Sequence, residues 1–239
     1  MCCHMNDSYR AEERRYRERE APSYESHFTA YQNSCERRAL LSFLGQDAGL
    51  LIDVGCGTQR FHTEMSARAK RVVGVDFSFD SLAFARAKDD DKHYFIQGEV
   101  VDLPIRGDLA DTMVSIQVLE HLLDPVDARR MMEGIRRTMK DRSKAFVTVY
   151  NLHLYDRVLR RRRGHSASHR FVRYTPQDLR KLIIETFGGD VRIDIRPQCL
   201  FLRRGQRWLQ RFGDLDPILA RIPGAVHFGS FITATIVRV

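Results

Sequence analysis

The chain has 239 residues, 43% hydrophobic and 29% charged, with a formal net charge of +8; the length fits one large α/β domain or a domain with an appendage, and the composition is ordinary for a soluble globular protein with a substantial core. No apolar run reaches about 18 residues and the N-terminus has no apolar core of the secretory type, so no membrane span is expected and a cytoplasmic location follows. The five cysteines at 2, 3, 35, 56 and 199 form no CxxC pair, which argues against a complete disulfide set and against a metal site.

Residues 1–23 are rich in Arg and Glu and read as a mobile arm, either a solvated helix or disordered. Cys2 and Cys3 are either a metal or lipid attachment point or incidental residues of that terminus. Residues 24–45 carry Tyr24, Phe28, Tyr31, Leu40, Leu41 and Leu44 at roughly helical spacing, with Gly45 as a stop. This helix is either a lid, with Tyr24, His27 and Tyr31 over a ligand, or an amphipathic cover for apolar surface.

From residue 46 onward short apolar runs alternate with helical stretches. Strands are expected at 50–54, 71–75, 93–97, 112–116 and 145–150, and helices near 60–69, 79–88 and 125–140. That alternation implies parallel βαβ units in a layered sheet. After 150 the pattern loosens. A basic helix is expected over 152–163, then a helix started by Thr175-Pro176-Gln177-Asp178 with Thr175 as cap. A strand follows at 191–195, an amphipathic helix at 206–220 and a last strand at 231–239. The run Arg160 to Arg163 reads as a solvated face. Charge is uneven: residues 1–140 hold 20 Lys/Arg against 23 Asp/Glu, whereas residues 141–239 hold 19 against 8. A basic half of that kind either aids solubility or attracts an anionic partner.

Leu51-Ile52-Asp53-Val54-Gly55-Cys56-Gly57-Thr58-Gln59 is the most informative segment. An apolar strand ends in an acid and runs into a glycine turn, at the end of the sheet where ligands bind. Arg60 departs from the dinucleotide fingerprint GxGxxG/A, and Asp53 would repel a pyrophosphate but suits a cationic amino acid moiety. Twenty-three residues on, Val72-Val73-Gly74-Val75-Asp76 ends in a carboxylate able to accept ribose hydroxyls.

These segments resemble class I S-adenosylmethionine-dependent methyltransferases, in the type 11 group. Gln97-Gly98-Glu99-Val100-Val101-Asp102-Leu103-Pro104-Ile105 is similar to that family's GDAxxLPF segment. Asp111 to His121, ending Val118-Leu119-Glu120-His121, is similar to its D-x-V-x-x-x-x-V-L-E-H signature. Gln59 stands where the family often has a third glycine, and Glu99 where it often has Asp. The resemblance implies a Rossmann-like, doubly wound, mostly parallel seven-stranded sheet with an N-terminal helical extension. It divides residues 46–239 into a cofactor half, 46–150, and a substrate-side half, 151–239. It implies S-adenosyl-L-methionine as cofactor and S-adenosyl-L-homocysteine as product. Asp53, Gly55, Cys56, Gly57, Asp76, Phe77, Glu99, Val100 and Gln117 would bind that cofactor. His121 and His169 are the candidates for proton transfer, should the acceptor need a base; Arg173 and Tyr174 either contact substrate or fold their loop. No metal is implied.

The segment after Ile116 lacks the Asn/Asp-Pro-Pro-aromatic box of base-amino methylating enzymes, and there is no Pro-Cys nucleophile. The resemblance therefore favours O- or C-methylation of a small or lipid-linked acceptor, with the basic half suggesting an anionic one or peripheral contact with a membrane surface. An RNA-modifying methyltransferase and a cofactor-binding protein without turnover remain as alternatives.

Overall fold

The computed structural model describes residues 3–88, 91–159, 162–165, 170–201, 208, 211 and 215–239. In chain order the strands are β1 (Leu50–Val54), β2 (Arg71–Asp76), β3 (His93–Gln97), β4 (Ala110–Ile116), β5 (Met139–Tyr150), β6 (Arg163–His165), β7 (Arg170–Val172), β8 (Val191–Gln198) and β9 (Phe231–Arg238). Seven of them form one sheet in the order β3-β2-β1-β4-β5-β9-β8. The first five are parallel, and β9 runs antiparallel between β5 and β8. This is the α/β methyltransferase architecture that the resemblance implies. The strands β6 and β7 make a separate two-stranded ribbon.

The apolar runs become strands because both faces of the sheet are covered. Alternation assigns neighbours to opposite sides. Ile52 and Val54 join a large cluster with Met131, Met132, Ile135, Leu179 and Ile183. Leu51 and Val72 join a second cluster with Leu40, Leu44, Phe61 and Met65. The helices that supply these residues are α2 (Ala30–Leu44), α3 (His62–Ser66), α5 (Pro125–Thr138) and α7 (Pro176–Phe187), with α1 (Cys3–Glu20), α4 (Phe79–Arg86), α6 (Leu154–Val158) and α8 (Asp216–Leu219) completing the set among the described residues.

Local chemistry sets the helix ends. Thr29 caps α2 by accepting from Gln32 N–H, and Gly45 ends it at φ +70°. Asp124 accepts from Val126 N–H, with Pro125 in the first turn of α5. Thr175 and Asp178 form a reciprocal capping box on α7, which stops at Gly188.

Several expectations differ from the structure. The arm is a helix, α1, and its inner face is not solvated: Glu13, Tyr16 and the following Ala21 are buried. The lid segment begins as a single 3₁₀ turn, Tyr24–His27, and becomes α-helical only from Ala30. The expected basic helix over 152–163 is confined to Leu154–Val158. Arg162 and Arg163 are both exposed, as expected of a solvated face; Arg162 pairs with Asp178 of the α7 cap, and Arg163 starts the ribbon. Arg160 and Arg161 lie outside the described residues. Within the expected helix 206–220 the described α-helix is the single turn Asp216–Leu219, started by Pro217; most of the rest lies outside the described residues. Among the described residues no helix is long and apolar enough to cross a membrane.

Candidate functional site

Strand β1 has β2 on one side and β4 on the other, and chain connections leaving it in both directions open a crevice at the C-terminal strand ends. The turn there is built by Gly55 at φ +72° and Gly57 at φ +51°. A Cβ on Gly55 would lie 2.4 Å from Val118 Cγ2, so the position has room only for glycine. Asp76, at the end of β2, is locked against this turn. Its Oδ2 accepts from Gly57 N–H at 2.8 Å and its Oδ1 from Ser78 N–H at 2.9 Å. Burial pushes this carboxyl above its ordinary value, and the two backbone donors and Arg17 oppose that rise.

Gly55, Gly57, Asp76, Phe77, Glu99, Val100, Gln117 and His121 all wall one cleft of about 110 Å³. Asp53 and Cys56 do not. They face a smaller cavity of about 40 Å³ behind the turn, which shares Tyr24, Gly55, Gly57 and Ile116 with the cleft. The two acids thus flank the glycine turn instead of standing side by side. Burial pushes Asp53 up to about 7, with the Asp76 charge adding to it and the Gln59 side chain opposing. His169 lies outside the described residues.

Two departures from the family pattern have structural answers. Gln59 adopts φ +53°, the region a glycine would take freely. Its side chain holds it there: Oε1 is 2.6 Å from His93 Nδ1 and 3.2 Å from His62 Nδ1, and the two rings stack at 3.8 Å. Glu99 is not idle either, since Arg14 of α1 donates to it at 2.7 Å and lies 5.7 Å from the Phe77 ring centroid.

Other residues of the site escaped the sequence reading. Glu36 of α2, which is 2% exposed, accepts from Gln32 at 3.3 Å and from Gln117 and Arg60 at shorter range. Arg60 also donates to Asn33 at 2.7 Å and lies over the rings of Phe28 and Phe61 at 3.6 and 4.4 Å. Burial raises the Glu36 carboxyl, and Arg60, Gln32 and Gln117 oppose that rise. The network ties α2 to the glycine turn and to Gln117, itself strained at φ +57°. In α1, Glu13, Arg17 and then Ala21 follow at i, i+4, i+8 and line the cleft. The only sequence signal was the Glu-x-x-x-Arg spacing, which also fits an exposed pair.

A second cavity, of about 510 Å³, adjoins the cleft. Arg17, Tyr24, Gln117 and His121 line both. Beyond them its wall is aromatic and polar, with Tyr150, Phe171 and Phe231 beside His153, Asp156 and Arg173. His121 sits 3.9 Å from Glu13 Oε1, with Tyr150 edge-on at 6.2 Å between ring centroids. Glu120 is fully buried beneath, and neither of its carboxylate oxygens bonds another group among the described residues. Burial pushes it up to about 8.

Comparison with known proteins fits this layout. Residues 52–147 match the family model described as a methyltransferase domain. This segment is a methyltransferase domain. A probable S-adenosylmethionine-dependent methyltransferase of Mycolicibacterium smegmatis is 30% identical over 104 residues, 42% of this chain and 36% of that protein. The chain spans between 36% and 55% of the length of the curated relatives it matches. Among solved structures, the DhpI-SAM-HEP complex superposes with a TM-score of 0.69 at 16% identity, covering 95% of this chain and 97% of that one. A Thermotoga maritima protein described as an S-adenosylmethionine-dependent methyltransferase, possible histamine N-methyltransferase, gives 0.67 at 16% identity, covering 94% and 99%. At those identities the likeness is one of fold.

The raised acids give the methyltransferase domain a definite pH response. A carboxyl whose folded value lies above its unfolded one holds its proton more tightly when folded. Its stabilising effect is full below the unfolded value and is lost as pH rises through the folded one. For Asp53 that window runs from 3.8 to about 7, and for Glu120 from 4.5 to about 8. The melting temperature of the unliganded protein is expected to fall between about pH 5 and 8, and Asp53→Asn or Glu120→Gln to flatten the fall. A melting temperature that climbs across this range would contradict the assignment.

Proposed function

We propose that the chain is an S-adenosylmethionine-dependent methyltransferase acting on an oxygen or carbon atom of a small or lipid-linked acceptor. The observation that supports this reading best is the junction of the two cavities. A cleft walled by the residues that the resemblance assigns to the cofactor opens, through Arg17, Tyr24, Gln117 and His121, onto a separate cavity of acceptor size.

The residues present fit the cofactor. Asp76, held by two backbone N–H groups at the cleft wall, is suited to accept ribose hydroxyls, and Glu99 and Val100, with Phe77 on the same wall, are the residues that the resemblance assigns to the adenine. Gly57 leaves open space above the turn. Asp53, behind the turn, offers negative charge toward the amino acid end. When bound, the cofactor supplies an electrophilic methyl on a sulfonium. The chain's part is to align a nucleophile, exclude water and hold or move a proton where one is released. His121, near Glu13 and Tyr150 at the cavity junction, is the candidate for the last role. The cleft of about 110 Å³ and the adjoining cavity of about 510 Å³ share the wall formed by Arg17, Tyr24, Gln117 and His121.

The test is incubation of the protein with cell extract and methyl-labelled S-adenosylmethionine, followed by mass-spectrometric capture of labelled products. A labelled small molecule or lipid is expected, lost in the Asp76→Ala variant. Label appearing in RNA alone would overturn the acceptor class, and cofactor binding without any labelled product would favour a protein without turnover.

A further inference from the structure

The junction between the two cavities holds a charged group that the sequence did not single out. Arg17 is a residue of α1 with a side chain 19% exposed. One edge of its guanidinium is committed: Nε donates to Glu13 Oε1 at 2.9 Å and Nη2 lies 2.8 Å from the same oxygen. The rings of Tyr16 and Tyr24 stand 5.6 and 5.9 Å from its Cζ, which holds the group in place. A guanidinium carries five N–H donors in a fixed fork. No described residue accepts from Nη1. Arg17 lines both cavities, and a fork held on one edge with donors left over is suited to an oxyanion.

The charges around it say on which side that oxyanion arrives. The cofactor cleft is acid-lined, by Glu13, Asp76 and Glu99. The wall of the second cavity carries Arg17 and Arg173 against the single described carboxylate Asp156. Negative charge is therefore repelled from the first and accepted by the second.

We propose that Arg17 binds an anionic oxygen group, a carboxylate or phosphate, carried by the methyl acceptor at the cavity junction. This rests on the methyltransferase reading above and narrows its acceptor to anions. Arg17 is a specificity-determining residue in this scheme: its charge persists at every working pH, and an ammonium-bearing acceptor meets like charge at the point of transfer. The other source of an oxyanion is the carboxylate of the cofactor's own methionine moiety, and the experiment separates the two.

The protein is first titrated calorimetrically with S-adenosylhomocysteine. The saturated protein is then tested by saturation-transfer NMR with benzoate, phenyl phosphate and benzylamine, which share a ring and differ in charge. At least one of the two anions is expected to bind and benzylamine not to. Arg17→Gln should weaken the binding anion about tenfold or more, with Arg17→Lys intermediate, and S-adenosylhomocysteine should be weakened by a clearly smaller factor in both. Retained S-adenosylhomocysteine binding also certifies that the variants fold. If Arg17→Gln instead weakens S-adenosylhomocysteine and leaves the anion untouched, Arg17 serves the cofactor and the proposal fails. Benzylamine binding as well as the anions, or no anion binding at all, also overturns it. Should S-adenosylhomocysteine not bind the unaltered protein, the methyltransferase reading itself is what has failed.

Discussion

Glu36→Ala is expected to cost about 3–5 kcal/mol of stability, the usual effect of removing one partner from a buried ion pair. For a domain of this size that corresponds to a melting temperature lower by about 10 °C. The loss comes less from the missing attraction than from what is left behind. Arg60 is 10% exposed in its side chain, packed between Phe28 and Phe61, and without Glu36 its charge would be buried with only Asn33 as a partner. Gln117 would lose the acceptor that holds its strained backbone. Replacing both partners, Glu36→Met with Arg60→Met, removes the orphaned charge and should recover most of the loss. Thermal melts of the three proteins check this. A single variant as stable as the parent would show that the network does not hold α2 to the turn.

Asp76→Asn is expected to weaken S-adenosylhomocysteine by about 1–3 kcal/mol, roughly 5- to 150-fold. The amide keeps the shape of the carboxylate but offers one acceptor oxygen instead of two, and Gly57 N–H and Ser78 N–H currently use both. The variant must therefore give up a backbone contact, a ligand contact or both. Calorimetry on the folded variant measures the outcome. Unchanged affinity would remove Asp76 from the cofactor site, whereas a loss accompanied by an altered melting curve would locate the damage in the turn.

The parts of this architecture that were legible in the sequence are those decided by neighbours along the chain. The expectation of strand at 50–54 coincides with β1, because a parallel strand covered on both faces reads as an apolar run, and that at 93–97 coincides with the edge strand β3, which is only partly covered. The start of α7 was legible because Thr175 and Asp178 satisfy each other's backbone within four residues. The expectation for 152–163 was too long: the described helix ends at Val158, and Arg162, inside the expected range, pairs with Asp178, 16 residues along the chain. The arm reads as a solvated helix or a disordered segment because its inner face mixes Tyr16 with the charges Glu13 and Arg17 and so gives little apolar signal.

By itself, the sequence determined the order of strands and helices from β1 to β5, the glycine turn and the two acids at the strand ends beside it. These depend on backbone preferences and on the periodicity of apolar side chains, which act over a few residues. Only the tertiary structure decided that α1 forms a wall of the cleft, that Arg60 is held by Glu36 and Gln117 by the same carboxylate, and that Asp53 sits behind the turn while Asp76 faces the cleft. Glu36 is 24 residues from Arg60 and 81 from Gln117. Buried charge is stable only when paired, and the choice of partner is made when the folded sheet brings distant segments into contact.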